Sequence, residues 1–525
     1  MILTNAVGDQ RKMDFGDWLA VLGGALGAFM AILDIQVTNA SIREISGALN
    51  LSFIESGWIS TAYLVAEVIV IPLTAFFSQV FGIKRYLMFN AALFVFSSIL
   101  CGCSWSLGSM ILFRVLQGIS GGTLIPMSFQ LILLLMPEKQ KALGLTIFGL
   151  TVTLAPSLGP AIGGWLTEEY SWRAIFFINI IPGIAMLTAL NIGLPLTSIN
   201  FLRLRRMDWI SVFYLCIGLS GLTYFLEEGP KHEWFDSTAV RISFLMALIG
   251  VPLFSVRQFQ VKYPILKLSL FASRNFALGT LITATASCAL FSGIYGLSLY
   301  LGQVQDYAAK DIGLVLMWIG LPQLLIMPFL PILMRRVDLR ILAIAGLGLF
   351  AYSNYLNSSL NLNVAGEDLT WSLWIRALGQ PLFVIPLSSM AMSMVHTSEV
   401  AEASAIFNVM RNLGASIGIA LTSTFLMKRQ TTHFSQMTER LSSFDFSLVE
   451  HIYMTEQRLR GEGLSAAAAR VLSLREVSTP VLRDSLIQSF SDIFFVLAGA
   501  IFVCALLVIL MAKIKPREDE TTGSH

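Results

Sequence analysis

Five charged residues stand inside long apolar stretches of this sequence: Asp34, Glu67, Arg114, Arg376 and Arg411. A charge at the centre of a membrane helix costs about 2.5–3.5 kcal/mol on insertion scales, so such residues are functional candidates. Burial favours the protonated form of a carboxyl group, whereas a nearby arginine favours the ionised form. An acid held between these two influences can bind and release a proton, so the chemistry that these residue types favour is proton transfer.

The depth of each charge follows from its position in its apolar stretch, because a helix rises 1.5 Å per residue. Asp34 and Arg114 fall at a similar depth, in the outer half of the membrane, and Glu67 and Arg411 fall nearer its middle. We predict that Asp34, Arg114 and Glu67 couple transport to protons. A static ion pair or a hydrogen-bonded plug remains the alternative for each. Arg376 lies nearer the end of its stretch, where its side chain either acts inside the protein or extends toward the outer surface.

A second group of candidates lies in the stretch 150–166, which is apolar yet contains Gly159, Pro160, Gly163 and Gly164. Gly159 and Gly163 stand four residues apart, so they share one face of a helix. Small residues on one face allow a second membrane helix to approach closely. The sequence therefore predicts a span that is bent at its prolines and packed tightly against a partner; close packing without further function is the simpler alternative.

The composition indicates that these residues belong to an integral membrane protein. Of 525 residues, 55% are apolar and only 13% are charged, against about 25% charged in average soluble domains. A membrane helix needs about 20 mostly apolar residues, which predicts an all-α protein with fourteen spans. The predicted spans are 18–40, 57–78, 86–105, 108–131, 141–166, 172–196, 208–228, 238–257, 275–303, 311–334, 338–359, 370–395, 402–427 and 485–512.

Basic residues predict the orientation of these spans, because Lys and Arg accumulate in cytoplasmic loops. With the N-terminus inside, the inner segments carry Arg11, Lys12, Lys84, Arg85, Lys139, Lys141, Arg203, Arg205, Arg206, Arg335, Arg336 and Lys513. Both termini are then cytoplasmic. The long polar segment 428–484 lies on the outer side, where the patterns of 448–459 and 465–474 predict amphipathic helices. A solvated excursion, a lid over the cavity and a docking surface for a periplasmic partner are the alternatives for this segment.

An internal repeat relates elements eight spans apart. Arg114-Val-Leu-Gln-Gly118 in span 4 is echoed by Arg376-Ala-Leu-Gly-Gln380 in span 12, and each is followed by Ile-Pro-x-Ser. Such repeats are typical of transporters built from two like-oriented halves. We predict an N-terminal six-helix half over 1–200, two additional spans over 201–262, and a C-terminal six-helix half over 263–525.

Several motifs resemble those of the fourteen-span drug:proton antiporters in the major facilitator superfamily. The matching segments are Leu33-Asp-Ile-Gln-Val-Thr-Asn39, Leu112-Phe-Arg-Val-Leu-Gln-Gly118, Leu158-Gly-Pro-Ala-Ile-Gly-Gly164, Trp172-Arg-Ala-Ile-Phe-Phe-Ile-Asn179 and Asn408-Val-Met-Arg-Asn-Leu-Gly414. Together with Pro264-Ile-Leu-Lys-Leu-Ser-Leu-Phe271 and the long segment before the last span, they resemble the EmrB-like subgroup. One position departs from the superfamily pattern: Gln79 stands where an acid is usual, which puts the usual conformational latch in doubt.

The resemblance implies a multidrug or toxic-compound efflux antiporter of the bacterial inner membrane, driven by the proton gradient and without a cofactor or metal. It further implies a small amphipathic substrate in a cavity between the halves, surrounded by membrane lipid. In EmrB-like members a periplasmic adaptor and an outer-membrane channel complete a tripartite export system, and the glycines of span 5 help to prevent a proton leak. Candidate substrate-lining residues are Met127, Phe129, Phe291, Met390 and Met392.

Other functions remain open from the residues alone. A dedicated exporter of one endogenous small molecule, such as a siderophore, would carry the same features. A transport-inactive membrane scaffold or sensor would have no reason to bury acids in its spans. An enzyme is not expected, since the sequence offers no phosphate-binding glycine loop, no metal-ligand cluster and no nucleophile triad, and no nucleic-acid partner is expected.

Overall fold

The computed structural model describes residues 13–440 and 446–513. Within these ranges the chain is helical without a β-strand, and fourteen helices are long and apolar enough to cross a membrane. The prediction of an all-α membrane protein with fourteen spans is thus confirmed. Arg11 and Lys12, which contributed to the predicted orientation, lie outside the described residues.

The first six spans follow one another through short connections. Local capping explains where some of them begin: Asp14 accepts a hydrogen bond at the start of α1, and Ser106 does so at the start of α4, as is usual for residues that precede a helix. The bounds are α1 Phe15–Ala40, α2 Phe53–Phe81, α3 Ile83–Gly102, α4 Leu107–Leu135, α5 Glu138–Glu169 and α6 Ala174–Gly193.

The remaining eight spans comprise an inserted pair and a second set of six. The inserted pair is α7 Trp209–Glu228 and α8 Thr238–Gln260. The second set is α9 Arg274–Gln303, α10 Ala309–Arg336, α11 Leu339–Leu356, α12 Gly366–Met392, α13 Val400–Arg440 and α14 Ala466–Val508. In α10 the α-helix gives way to 3₁₀ turns at Met317–Ile319 and Met327–Phe329, the latter containing Pro328, whose missing N–H removes a helix hydrogen bond.

The helix packing repeats at an offset of eight spans, as the sequence repeat predicted. In the first set of six, α1 packs on α5, α2 on α4, and α3 on α6. In the second set the corresponding pairs pack in the same way: α9 on α13, α10 on α12, and α11 on α14. The two sets of six meet where α2 and α4 contact α13, and where α5 contacts α10 and α12. α7 packs against both α2 and α13, so it covers one seam between the sets, while α8 packs chiefly on α7. The exact domain boundaries stay a prediction.

We call the side of the bundle on which α1 begins the near face, and the opposite side the far face. Two helices extend well beyond the far face. At 1.5 Å per residue, the 41 residues of α13 and the 43 residues of α14 span about 62 and 65 Å, twice the hydrocarbon thickness of about 30 Å. A shorter helix, Phe446–Gly461, packs on α14. We call the described residues beyond the membrane, 428–440 and 446–484, the far-face arm.

Salt bridges hold the far-face arm together. At its base, Asp492 of α14 accepts from Arg429 Nη2 at 2.6 Å and contacts His433 Nε2 at 2.7 Å, both on α13. Farther out, Arg458 of the short helix contacts Glu476 of α14 at 3.1 Å. The segment is therefore largely helical, as its sequence pattern predicted, and its two long helices are joined where they leave the membrane.

Candidate functional site

The centre of the first half contains a buried ion pair between α1 and α4. Arg114 Nη1 donates to Asp34 Oδ2 at 2.6 Å, and both side chains are 1% exposed. Gln117 Nε2 and Asn179 Nδ2 donate to the other carboxylate oxygen, Oδ1, at 2.9 and 2.8 Å. Both amides also donate to Ser98 Oγ, at 2.6 and 3.0 Å. Side chains from four helices, α1, α3, α4 and α6, thus form one hydrogen-bonded group around this carboxylate, which we call the Asp34 network.

Aromatic and backbone groups complete the surroundings of Arg114. Its Nε donates to the carbonyl oxygen of Ile59 at 3.1 Å, and its guanidinium carbon lies 4.3 Å from the ring centroid of Tyr63. Glycines on α4 make this approach possible: a Cβ on Gly118 or Gly121 would overlap with Tyr63. The ionised forms of Asp34 and Arg114 compensate one another here, and removing one partner of such a buried pair costs about 3–5 kcal/mol.

The structure brings Asp34 and Arg114 together, at the common depth that the sequence predicted. Gln117 and Asn179 belong to motifs quoted above, but their role as donors to Asp34 was not predicted, because sequence spacing does not indicate which helices meet. Ser98 carried no signal at all, since a serine in a membrane helix is usually hydrogen-bonded to its own backbone.

The third predicted coupling residue, Glu67, lies apart from this network on α2. Its side chain is buried, and its Oε1 accepts from Asn412 Nδ2 of α13 at 3.2 Å, whereas Oε2 has no hydrogen-bond partner among the described residues. Arg411, the neighbour of Asn412, lines the central cavity. Glu67 thus bridges the two halves. Its role in coupling stays a prediction.

The small face of α5 packs as predicted. A Cβ on Gly159 would overlap with Gln36 of α1, and one on Gly163 would lie 2.9 Å from the carbonyl oxygen of Val37. On the adjacent position, a Cβ on Gly164 would lie 2.8 Å from the backbone nitrogen of Lys310 in α10. α5 remains one helix through Pro156 and Pro160. It therefore contacts its own half through one glycine pair and the other half through the next glycine.

A cavity of about 30 Å³ lies between the halves, with room for about two water molecules at the 10–15 Å³ that each one needs. Of the predicted lining residues, Phe291 lines it, whereas Met127, Phe129, Met390 and Met392 are buried in helix packing. The cavity is also lined by Phe148, Val152, Thr153, Thr283, Ala286, Ser287, Leu290, Phe383, Val384, Ser388, Phe407 and Arg411. Substrate contact by any of these residues stays a prediction, because this space is too small for a drug-sized molecule.

Contacts between the halves close the near face. Gln79 Nε2 of α2 donates to Glu402 Oε1 of α13 at 3.1 Å, and Ser404 Oγ donates to the carbonyl oxygen of Pro126 in α4 at 2.8 Å. The glutamine that departs from the superfamily pattern is therefore a hydrogen-bond donor across the two halves. An uncharged side chain, Gln79, thus joins the two halves at the position where the superfamily pattern has an acid.

The far face is closed by α5 and α10. A Cβ on Gly313 would overlap with the backbone of Ala161, and Lys310 Nζ lies 3.8 Å from Glu168 and 3.9 Å from Glu169. The two halves are thus in contact at both faces, with a cavity of about 30 Å³ between them, and we call this arrangement occluded.

Two buried charges near the far face were missed or misjudged from the sequence. Glu228 at the end of α7 is 1% exposed; it accepts from Thr61 Oγ1 at 2.7 Å and from Lys231 Nζ at 2.8 Å, and we did not predict it. Arg376 of α12 is fully buried, which excludes the alternative that its side chain extends to the outer surface.

At the near end of α7, the Arg257 guanidinium holds the pKa of Asp208 below its usual range through a hydrogen bond.

A sequence profile of the Major Facilitator Superfamily matches residues 24–419. Among curated relatives, the colistin resistance protein EmrB of Acinetobacter baumannii is 35% identical, over 94% of this chain and 96% of its own length. The multidrug export protein EmrB of Escherichia coli K12 is 30% identical, over 93% of this chain and 94% of its own length. The fatty acid resistance protein FarB of Neisseria gonorrhoeae is 28% identical, over 97% of this chain and 98% of its own length.

Solved structures show the same fold at low identity. The proton:xylose symporter XylE superposes with a TM-score of 0.59 at 14% identity, over 95% of this chain and 96% of that one. The human organic anion transporter MFSD10 superposes with a TM-score of 0.57 at 15% identity, over 94% and 99%. These likenesses concern the fold alone.

Proposed function

Because the chain belongs to the Major Facilitator Superfamily as an EmrB-like member, we propose that it is a proton-coupled antiporter that exports amphipathic toxic compounds. The names of its relatives, which concern multidrug export, colistin resistance and fatty acid resistance, support export as its function. No cofactor is required, since the proton gradient supplies the energy.

The observation that carries this proposal is the Asp34 network. A carboxylate with three donors, one of them an arginine partner, is stable in its ionised form as long as the network is intact. Its donors lie on two other helices, α4 and α6, so a movement of those helices that separates Arg114 or Asn179 from Asp34 would favour protonation. Alternation between the two arrangements would bind a proton on one side and release it on the other.

The proposal is tested with the purified full chain in proteoliposomes that contain a fluorescent lipophilic cation. An imposed pH gradient should drive transport of the cation, and a protonophore should abolish it. Transport that persists unchanged without any gradient would contradict proton coupling, and the absence of transport for a panel of cationic, neutral and anionic amphiphiles would contradict export.

We further propose that the protein lies in the bacterial inner membrane with both termini in the cytoplasm. The near face carries Lys84, Arg85, Arg335, Arg336 and Lys513, which favours a cytoplasmic position for this face. The far-face arm then projects into the periplasm. Reaction of an introduced Ser435→Cys with a membrane-impermeant reagent from outside intact cells supports this orientation, and reaction of Arg205→Cys under the same conditions would contradict it.

The far-face arm is proposed to dock a periplasmic adaptor that leads to an outer-membrane channel. Its length beyond the membrane and its exposed apolar side chains support this role: Tyr453, Met454 and Val471 are more than half exposed. A lid would cover the cavity mouth, but the mouth is already closed by α5 and α10. An interface typically has an apolar centre of aromatic residues and methionine, which the pair Tyr453 and Met454 provides.

Replacing residues 437–482 with a Gly/Ser linker tests this docking while retaining the base of the arm. The shortened protein should transport in proteoliposomes yet fail to co-purify with the adaptor and fail to protect whole cells. The double variant Tyr453→Asp with Met454→Asp should behave alike, and Glu462→Ala, an exposed position on the same arm, is the matched control. Equal adaptor recovery by the shortened and parent proteins would refute docking; poor transport in vesicles would favour a lid.

A further inference from the structure

Arg376 is a fully buried cation without a counter-ion. In the described part of the chain no carboxylate lies within 4 Å of it, and its Nε and Nη1 have no hydrogen-bond partner. Its contacts are one hydrogen bond, from Nη2 to the carbonyl oxygen of Leu290 at 2.7 Å, and the ring of Phe350, whose centroid lies 5.1 Å away. A buried charge that is neither paired nor fully hydrogen-bonded is unfavourable, so an arginine at this position calls for a partner that the described residues do not supply.

Comparison of the two halves identifies the missing group. Arg114 on α4 corresponds to Arg376 on α12 in the sequence repeat, and Asp34 on α1 is the partner of Arg114. On α9, the counterpart of α1, the position at the same distance from the first residue of the helix is Gly293. The structure agrees, because a Cβ on Gly293 would lie 2.8 Å from Arg376 Nη1. Where the first half has a carboxylate, the second half has no side chain.

We propose that Arg376 binds the carboxylate of an exported amphipathic acid in place of the internal carboxylate that Gly293 lacks. This inference rests on the proposed export function and names a substrate class for it. Hydrogen bonds from a guanidinium to a carboxylate are charge-assisted and strong, and two donors of Arg376, Nε and Nη1, have no partner among the described residues.

The location of Arg376 fits a substrate site. Leu290, whose carbonyl oxygen accepts from Arg376, lines the central cavity. Phe383, which stacks on Phe350 with ring centroids 5.5 Å apart, lines it as well and stands seven residues after Arg376 on the same face of α12. The guanidinium thus lies directly behind the cavity wall. Opening from the occluded state would expose it to a carboxylate whose apolar chain occupies the cavity.

One turn further along α12 a second donor is available. Gln380 accepts from Gln323 Nε2 at 3.2 Å through its oxygen, but its own Nε2 is buried and has no partner among the described residues. In the first half, Gln117 on the corresponding helix donates to Asp34 beside Arg114. The second half therefore retains an arginine and an amide donor of the kind that holds a carboxylate in the first half.

The test compares two substitutions at one position. Gly293→Asp supplies an internal carboxylate that competes with a bound one, whereas Gly293→Ala introduces the same Cβ without charge. Both are accommodated by movement of the flexible end of Arg376, the nearest side chain. Radiolabelled octanoate is bound to the detergent-purified full chain and to the variants, and octyltrimethylammonium is the cationic probe of equal chain length.

Gly293→Asp and Arg376→Gln should each weaken octanoate binding at least about tenfold, which corresponds to 1.4 kcal/mol. Gly293→Ala should weaken it clearly less than Gly293→Asp does, and binding of the cation should change less than about twofold in each variant. Equal octanoate binding by the parent and by Gly293→Asp, each folded as judged by cation binding, would overturn the proposal. So would displacement of octanoate by 100 mM chloride in the parent, which would indicate a site for inorganic anions. Failure of the parent to transport any amphiphile in proteoliposomes would instead contradict the export function itself.

Discussion

Substitution of Asp34 by Asn is the most informative single change, because it preserves shape and removes titration. In the Asp34 network, one carboxylate oxygen accepts from Arg114 and the other accepts from Gln117 and Asn179. An asparagine has one acceptor oxygen and one donor group. Its NH₂ must therefore face either the guanidinium or the two amides, and in both orientations donors oppose donors. Gln117 cannot simply rotate, since its oxygen accepts from Arg114 at 2.7 Å.

The expected loss of stability follows from burial. Arg114 would remain as a buried cation without its partner, for which the cost is about 3–5 kcal/mol. The pair of Asp208 with Arg257 has the same 2.6 Å distance, but its side chains are 10% and 33% exposed, compared with 1% for both members of the buried pair. A solvent-exposed pair contributes about 0–1 kcal/mol. Asp208→Asn is therefore the matched control, and it should be much milder.

Two measurements separate stability from coupling. Asp34→Asn should clearly lower the midpoint temperature of thermal unfolding in detergent, whereas Asp208→Asn should lower it little. The double variant Asp34→Asn with Arg114→Gln removes both buried charges and should recover much of the lost stability. In proteoliposomes, both variants that lack Asp34 should fail to transport under an imposed pH gradient, whereas Asp208→Asn should transport normally.

Two outcomes would refute this reasoning. Undiminished gradient-driven transport by Asp34→Asn would show that another group carries the proton. Equal thermal stability of Asp34→Asn and Asp208→Asn would show that burial does not determine how much the Asp34–Arg114 pair contributes to the stability of the protein. The transport result would direct attention to Glu67, the other buried acid that was predicted from the sequence.

Two further substitutions test the contacts that close the protein. Gly159→Leu should abolish export while insertion remains normal, because the added side chain separates α5 from α1. The control is Gly348→Leu, at a position where a Cβ would have nothing within 4 Å. Normal export by both variants would contradict tight packing of α5 on α1. Gln79→Leu should leave the buried Glu402 without its donor and weaken closure of the near face, measured as faster labelling of an introduced cysteine in the cavity; unchanged labelling would show that this hydrogen bond is not a latch.

The sequence was sufficient for the parts of this protein that the membrane dictates. Lipid demands apolar helices of a fixed minimum length, so fourteen spans could be counted, and the cost of buried charge singled out Asp34 and Arg114. It was insufficient wherever a contact depends on which helices are neighbours. Asn179, which donates to Asp34, and Ser98, which accepts from Asn179, come from α6 and α3, and neither spacing nor composition indicates that these helices meet at α1.

The cavity illustrates the same limit. Methionine and phenylalanine fill cores and line binding sites equally well, so a list from sequence could not distinguish Phe291, which lines the cavity, from Met390, which is packed away from it in this state. Conformation decides such an assignment. The sequence indicated how deep Arg376 lies but not that it lacks a counter-ion, because a counter-ion can come from any of the helices packed around it.

The continuity of α13 and α14 gives the far-face arm the mechanics of a lever. Each helix crosses the whole membrane part from the near-face side and continues into the arm without a break, α13 without any proline and α14 with Pro480 near the membrane boundary. For an arm of about 30 Å, a tilt of roughly 10° inside the bilayer displaces the tip by about 5 Å. Because α13 also bears Glu402 at the near face and Asn412 beside Glu67, one continuous helix connects the near-face contact with the base of the arm at Arg429.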